Sequence, residues 1–401
     1  MRIQNPYVIL GLLSGLNLVN YLDRYLVAAV GPSLQADLGL SDFQFGLVAS
    51  SAFMVGYLAT SPFFGVLGDR RPRRTLIALG VGTWSVFTTT SGLASSFYSM
   101  LAARLFVGVG EASYGTLAPT IIDDLAQPKV KSRWLGVFYV AIPVGSALGY
   151  VLGGQLEHAF GWRSAFFIAG GPGLLLAMLV LLIREPPRTP RATSESTPRM
   201  AFSKLLEIPV YRSAVLGYVA QTFALGGFAV WAPKYLTTQF GMELKTADFW
   251  FGVILVVTGL LATFVGADLG DRLPGADRVR ISLRLCALTS LLGVPFAVLC
   301  LSAGSPVGFF VGIACAEFAI FLSTSPINLV ILQSVPEHLR ATAMAVSILA
   351  IHLLGDVISP PLIGVISERS SLRLAMFILP VALAMAVLFR WRGVSRRATP
   401  A

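Results

Sequence analysis

The sequence predicts an all-α membrane protein: twelve transmembrane helices in two pseudo-symmetric six-helix bundles, with both termini in the cytoplasm. Three observations carry that prediction. Of 401 residues, 55% are hydrophobic and only 12% charged, against about 25% charged in soluble domains. Apolar runs of membrane-spanning length recur along the whole chain, separated by short polar stretches. The basic residues gather in alternate polar stretches, as the positive-inside rule requires of cytoplasmic loops.

Crossing a hydrocarbon core about 30 Å thick takes roughly 20 apolar residues as a helix. A chain of 401 residues therefore holds about a dozen crossings and short loops, with no room for a large extramembrane domain. Apolar runs bounded by charges or by Gly/Pro punctuation place helices near residues 7–30, 42–67, 75–95, 98–123, 134–156, 163–183, 211–236, 246–269, 281–302, 306–334, 341–366 and 371–391. The first run continues to Val30 without a small-residue cleavage site, so it is expected to stay as a helix and not to be removed as a signal peptide. Cys286, Cys300 and Cys315 lie in or beside apolar runs with neither metal nor disulfide spacing, and are expected to be packed thiols.

Orientation follows from the basic residues. Of 30 Lys and Arg, 23 fall in one set of loops together with both termini, among them Arg70, Arg71, Arg73, Arg74, Arg133, Arg272, Arg340 and Arg390. Five, namely Arg163, Lys234, Lys245, Arg369 and Arg373, fall in the opposite set, and Arg24 and Arg104 lie inside predicted helices. The bias puts both termini in the cytoplasm and requires an even number of crossings. A formal charge of +10 spread this way suits loops facing anionic lipid and excludes nucleic acid as the expected partner.

The longest polar stretch, Arg184 to Arg212, contains Glu185-Pro186-Pro187-Arg188-Thr189-Pro190 and a Ser/Thr-rich run, a composition that resists packing. It divides the chain into a first bundle at 1–183, a cytoplasmic linker at 184–210 and a second bundle at 211–401. The halves resemble each other: Asp69-Arg70 answers to Asp271-Arg272, Glu111 to Glu317, Pro119 to Pro326 and Arg133 to Arg340, at offsets of 202, 206, 207 and 207. One internal duplication explains those offsets. Two homologous bundles rocking about a midplane site would give alternating access.

After the second predicted helix the chain reads Gly65-Val66-Leu67-Gly68-Asp69-Arg70-Arg71-Pro72-Arg73-Arg74. This resembles the signature loop of the major facilitator superfamily, with Pro72 where a glycine is usual. A carboxylate at one helix end can cap the amino end of a neighbouring helix, and the arginines can hold carboxylates of the other half. The resemblance therefore implies conformational gating by Gly65, Asp69, Arg70 and Arg73, with Asp271 and Arg272 as a degenerate second copy. The fifth predicted helix carries Gly136, Gly145, Gly149, Gly153 and Gly154, spaced like the superfamily's antiporter motif but with Tyr150 at a usual proline. Small residues here let helices approach and pivot, which makes Gly145 and Gly149 further gating candidates.

More specific is the run Arg104-Leu105-Phe106-Val107-Gly108-Val109-Gly110-Glu111-Ala112-Ser113-Tyr114-Gly115-Thr116-Leu117-Ala118-Pro119-Thr120, with Phe138 to Tyr150 and with Asn20-Tyr21-Leu22-Asp23-Arg24. Together these resemble the Spinster family, the sphingolipid and lysolipid transporters of the superfamily. The resemblance is dense over residues 17–154 and thin across the second half. It implies a transporter of single-chain lipids with phosphate-bearing heads, coupled to protons in some members.

A charge at mid-bilayer costs at least about 2.5 to 3.5 kcal/mol on insertion scales, so an ion inside a predicted helix is a functional candidate. Arg104 and Glu111 are seven residues apart, about two helical turns, and so share a face. In the superfamily that helix lines the central cavity. A guanidinium offers planar, bidentate donors that fit a phosphate, which makes Arg24 and Arg104 candidates for gripping an anionic head group, with Tyr21, Tyr114 and Glu317 as further substrate-binding candidates. Carboxylates in dry, partly paired surroundings can exchange a proton near neutral pH, so Asp23 and Glu111 are the candidates for proton coupling. The alternative is a structural ion pair of Asp23 with Arg24 or Arg104 that sets helix registry. His352 and Asp356 are an equally balanced case between function and plain interhelical contact, and Gln221, Trp231 and Asn328 are possible cavity residues of unassigned direction.

The expected function is secondary active or facilitative transport of an amphipathic anionic lipid, with a major facilitator exporter of another organic anion or drug-like solute as the alternative. No Ser-His-Asp set, metal-ligand spacing or phosphate loop is visible. Gly108-Val109-Gly110 follows no strand and is no nucleotide fingerprint. An enzyme, a cofactor and a metal site are therefore not expected. The expected partners are the lipid-like substrate, protons and the bilayer, with the chain a monomer in the inner (plasma) membrane.

Overall fold

The computed structural model describes residues 3–127, 130–187, 198–272 and 277–395, with the backbone alone at 132, 198–201, 271 and 341. Almost all of it is helix. The long helices are α1 (Pro6–Ala29), α2 (Asp42–Arg70), α3 (Arg73–Ser91), α4 (Phe97–Leu125), α5 (Lys131–Phe160) and α6 (Trp162–Leu181), then α7 (Pro209–Phe240), α8 (Leu244–Arg272), α9 (Arg278–Ser302), α10 (Pro306–Gln333), α11 (Thr342–Arg369) and α12 (Leu372–Val394). Among the described residues, ten of these are long and apolar enough to cross a membrane.

Helices α1 and α3 have the length, at 24 and 19 residues, but carry more polarity. That polarity points inward. Asn17, Asn20 and Asp23 of α1 and Arg73, Ser85, Thr88 and Ser91 of α3 are all buried. Helix starts follow local chemistry: the Asn5 side chain accepts from the Tyr7 amide ahead of Pro6, and Ser96 with Ser99 closes a capping box on α4. Two helices carry a π-turn, Leu47–Ser51 in α2 and His352–Asp356 in α11, a wound-in residue often found near functional sites.

The chain divides into two compact units, the first of residues 1–191 and 233–256, the second of 192–232 and 257–401. In the first unit, glycines set the helix crossings. A Cβ on Gly145 would lie 2.5 Å from the Leu18 carbonyl and one on Gly149 2.6 Å from that of Leu22, so α5 touches the backbone of α1. A Cβ on Gly56 would collide with the Leu105 carbonyl and one on Gly108 with that of Phe53, which draws α2 against α4. Gly80 and Gly110 do the same for α3 and α4, with 2.6 Å from either Cβ to the other's carbonyl.

In the second unit, Arg390 differs from its expected place in a cytoplasmic loop. Helix α12 runs past it, and the side chain is fully buried. Its guanidinium donates to the Cys286 carbonyl at 2.9 Å, to the Ser290 hydroxyl and to Gln221 Oε1 at 2.5 Å. Interior acceptors replace the water that a loop arginine would have. Gln221 also donates to the Ile320 carbonyl at 3.3 Å, Trp231 donates to that of Pro360 at 3.1 Å, and Asn328 to that of Thr324 at 2.9 Å. Of the segment expected as a linker, residues 188–197 lie outside the described residues, and Pro198–Glu207 is a short helix whose Leu205 is buried beside Tyr211, Val335 and Leu339.

Candidate functional site

Four helices of the first unit bring the intramembrane charges of the first half together. From α1, Arg24 Nη2 donates to Glu111 Oε2 of α4 at 2.8 Å, the carboxylate wholly buried and the arginine side chain 18% exposed. The neighbouring Asp23 accepts from the Thr88 hydroxyl of α3. Arg104 is fully buried, and none of its three guanidinium nitrogens has a hydrogen-bond acceptor. Asp23, Glu111 and Arg24 lie within its electrostatic range.

Aromatic rings lie against the two arginines. The Arg24 guanidinium lies 4.5 Å from the Phe53 ring centroid, 4.7 Å from Tyr21 and 5.8 Å from Tyr57, and that of Arg104 lies 5.5 Å from Phe53. One phenylalanine ring thus serves two cations, each such contact worth about 2 kcal/mol when desolvated. Glu111 Oε1 and Asp23 Oδ1 have no hydrogen-bond partner. Buried polar atoms left this way are costly. The cluster balances two positive and two negative side chains, with one arginine engaged and the other holding all its donors in reserve.

The Major Facilitator Superfamily profile matches residues 13–355. The chain is 34% identical over 389 residues to "Probable sphingolipid transporter spinster homolog 2" of Arabidopsis thaliana, covering 88% of this chain and 79% of that protein. It is 35% identical over 392 residues to "Protein spinster homolog 1" of Homo sapiens, covering 90% and 73%. The chain belongs to the Spinster family of the major facilitator superfamily.

The fold of this Spinster-family transporter also matches solved structures. A bacterial homolog to the human lysosomal transporter Spinster, inward-facing and unoccupied, superposes with a TM-score of 0.87 at 23% identity, covering 97% of both chains. A D-xylose–proton symporter superposes at 0.78 with 16% identity, covering 96% of this chain and 97% of that one. By its family the chain is a multi-pass membrane transporter of the Spinster type.

The other candidate residues fall as follows. Tyr114 is 1% exposed and its hydroxyl donates to the Leu13 carbonyl at 2.5 Å, fastening α4 to α1. Glu317 belongs to the second unit, buried and accepting from the Thr258 hydroxyl at 3.1 Å. His352 Nδ1 and Asp356 Oδ2 meet at 2.6 Å on the π-turn of α11. Within the signature loop, Gly65 is half-buried while Asp69 and Arg70 are exposed. Arg73 is buried and pairs with Asp124 at 2.6 Å and Glu185 at 3.0 Å, both from the first half of the sequence and not the second. Arg272 pairs with Asp268 at 2.9 Å, and the Asp271 side chain lies outside the described residues.

Sequence reasoning missed three neighbours of the charged cluster: Thr88, Phe53 and Tyr57. The signal for Thr88 was the Thr88-Thr89-Thr90 run inside an apolar stretch. Nothing in the pattern of α2 separated Phe53 from its other phenylalanines. The glycines of Gly108-Val109-Gly110 are also explained: each faces a different neighbouring helix at close range, α2 for Gly108 and α3 for Gly110.

Proposed function

We propose that this transporter moves an amphipathic anionic lipid, of the lysophospholipid or sphingoid phosphate class, by proton-coupled alternating access. Its chain crosses the inner (plasma) membrane twelve times as a monomer of two six-helix bundles, with both termini in the cytoplasm. The observation that carries the substrate reading is Arg104: a buried guanidinium with no protein acceptor is a fork of donors matched to a phosphate or carboxylate head. The word sphingolipid in the Arabidopsis relative's name supports the same class.

Coupling runs by competition. While Glu111 is ionised it holds Arg24; protonation removes half of that ion pair and frees Arg24 to join Arg104 on the head group. Substrate bound between the arginines in turn lowers their hold on the carboxylates, so Asp23 and Glu111 exchange protons as the halves rock. Tyr21, Tyr114 and Glu317 are the further substrate-binding residues of this reading. Gly65, Asp69, Arg70, Arg73, Asp271 and Arg272 gate the cytoplasmic side, and Gly145 and Gly149 let α5 slide on α1.

The test uses reconstituted vesicles carrying a pH gradient and loaded with labelled lysophospholipid or sphingoid phosphate. Uptake or efflux above empty vesicles, abolished by collapsing the gradient, is the expected result. Robust movement of a small organic anion with none of either lipid would overturn the lipid reading in favour of an organic-anion exporter.

A further inference from the structure

At the start of α8, in the first unit, Asp248 is fully buried and neither of its carboxylate oxygens has a hydrogen-bond partner. It sits against a glycine of α5: a Cβ on Gly154 would lie 2.7 Å from Asp248 Oδ2 and 3.1 Å from Lys245 Cα. One to two turns back along α5 the packing is also close: a Cβ on Gly252 would lie 2.9 Å from the Ala147 carbonyl, and Phe251 stands edge-on to Tyr150 at 5.0 Å.

Among the described residues, the surrounding charges offer no cation to this carboxylate. From α5, Glu157 lies within electrostatic range of Asp248 and is itself held by the Ser33 hydroxyl at 2.5 Å. His158, the next residue on α5, meets Lys245 Nζ at 3.0 Å and Glu243 at 3.4 Å, and Lys245 pairs with Glu243 at 3.0 Å. The nearby ammonium is thus taken up by Glu243 and His158. Elsewhere in the unit Asp42 pairs with Lys234 and Asp37 with Arg163. An ionised carboxylate shut from water with no donor and an acid as its charged neighbour is strongly disfavoured, and a neutral carboxylic acid is not.

We infer that Asp248 is a proton-binding site distinct from the Asp23–Glu111 cluster: it carries a proton while α5 and α8 are packed at Gly154, and releases it when the two helices part and water reaches the carboxylate. The inference rests on the alternating-access part of the proposed function, since it needs this contact to open. It makes the α5–α8 contact a latch that acid closes and alkali loosens. Glu157 sharpens the response, because ionised Asp248 would repel it across the same contact.

The test needs no substrate. Purified protein in lipid nanodiscs, with its three native cysteines replaced and spin labels at Gln155 of α5 and Phe249 of α8, is followed by infrared difference spectroscopy and by inter-label distance across a pH series. The expected result is a protonated-carboxyl band at neutral pH that Asp248→Asn lacks and that alkali removes, with the α5–α8 distance lengthening over the same pH range in the parent protein and staying short in Asp248→Asn. An unaltered band in that variant, or the same pH-driven separation, would overturn the inference. Asp248→Ser, also uncharged but smaller, should behave like Asp248→Asn if charge is what opens the latch. Failure of lipid transport with these readouts intact would count against the lipid reading alone.

Discussion

Arg24 of α1 and Glu111 of α4 are joined at 2.8 Å, while Arg104, on the same face of α4 as Glu111, keeps every donor unpaired in a fully buried position. That asymmetry separates a paired arginine from an unpaired one. Removing one partner of a buried ion pair strands the other and costs about 3 to 5 kcal/mol. Glu111→Ala should therefore lower thermal stability in detergent markedly. Glu111→Gln, which keeps an acceptor for Arg24, should cost well under half as much, and equal losses would show that the pair's charge and not its hydrogen bond fastens α1 to α4.

Proton linkage should separate from exchange. Asp23→Asn preserves an acceptor for the Thr88 hydroxyl, so the variant is expected to fold. In vesicles, Asp23→Asn and Glu111→Gln are expected to abolish pH-driven accumulation while substrate exchange survives. Unchanged pH dependence in both variants would remove these carboxylates from the coupling mechanism.

Arg104→Ala should weaken binding of a phosphate-bearing lipid by roughly 10- to 100-fold, the value of one charge-assisted hydrogen bond. Arg104→Lys should not restore it, because a point ammonium does not reproduce the planar fork. Thermal shift or calorimetry across lysolipids and sphingoid phosphates reads this directly, since ligands that bind the folded state raise its melting point. Affinity equal to the parent's would take Arg104 out of the head-group site.

Gly108→Ala places a methyl group onto the Phe53 carbonyl, where backbone and not a side chain must yield. Overpacking of this kind costs about 1 to 3 kcal/mol or more, and it would spread α2 from α4 beside the charged cluster. Low yield and a reduced melting temperature are expected. Gly136→Ala, with nothing within 4 Å of the added carbon, is the matched control and should be neutral by size-exclusion profile and thermal unfolding.

Arg73→Ala should destabilise the first unit where α3 begins, because Asp124 and Glu185 lose the buried guanidinium they share. Adding Asp124→Asn should recover part of the loss. If the double variant is no more stable than the single one, the pair does not account for the arginine's contribution.

Much of the helix layout was readable beforehand. The expected spans 98–123 and 306–334 became Phe97–Leu125 and Pro306–Gln333, because long apolar runs bounded by Ser, Pro and charge leave little choice of start and stop. The spacing of Arg104 and Glu111 put them on one face of α4 without any structure. What the spacing left open was whether Arg24 or Arg104 meets a carboxylate, and which one. Pairings between α1 and α4 depend on the rotation of each helix, which the glycine contacts at Gly145, Gly149, Gly108 and Gly110 set. Arg390 was misread for a related reason: near a span's end, a basic residue in a loop and one turned into the bundle look alike in sequence, and only the acceptors from α7 and α9 tell them apart.

The sequence by itself determined that this protein lives in a bilayer as a set of helices, because the cost of placing a segment in hydrocarbon is close to a sum over its own residues; its motifs carried the Spinster resemblance. The tertiary structure decided which buried charges are paired, which are left without a partner, and that Asp248 is sealed against Gly154. Those outcomes turn on contacts between residues up to about a hundred positions apart, and in a low-dielectric interior a shift of one helical turn is enough to change a paired ion into an unpaired one.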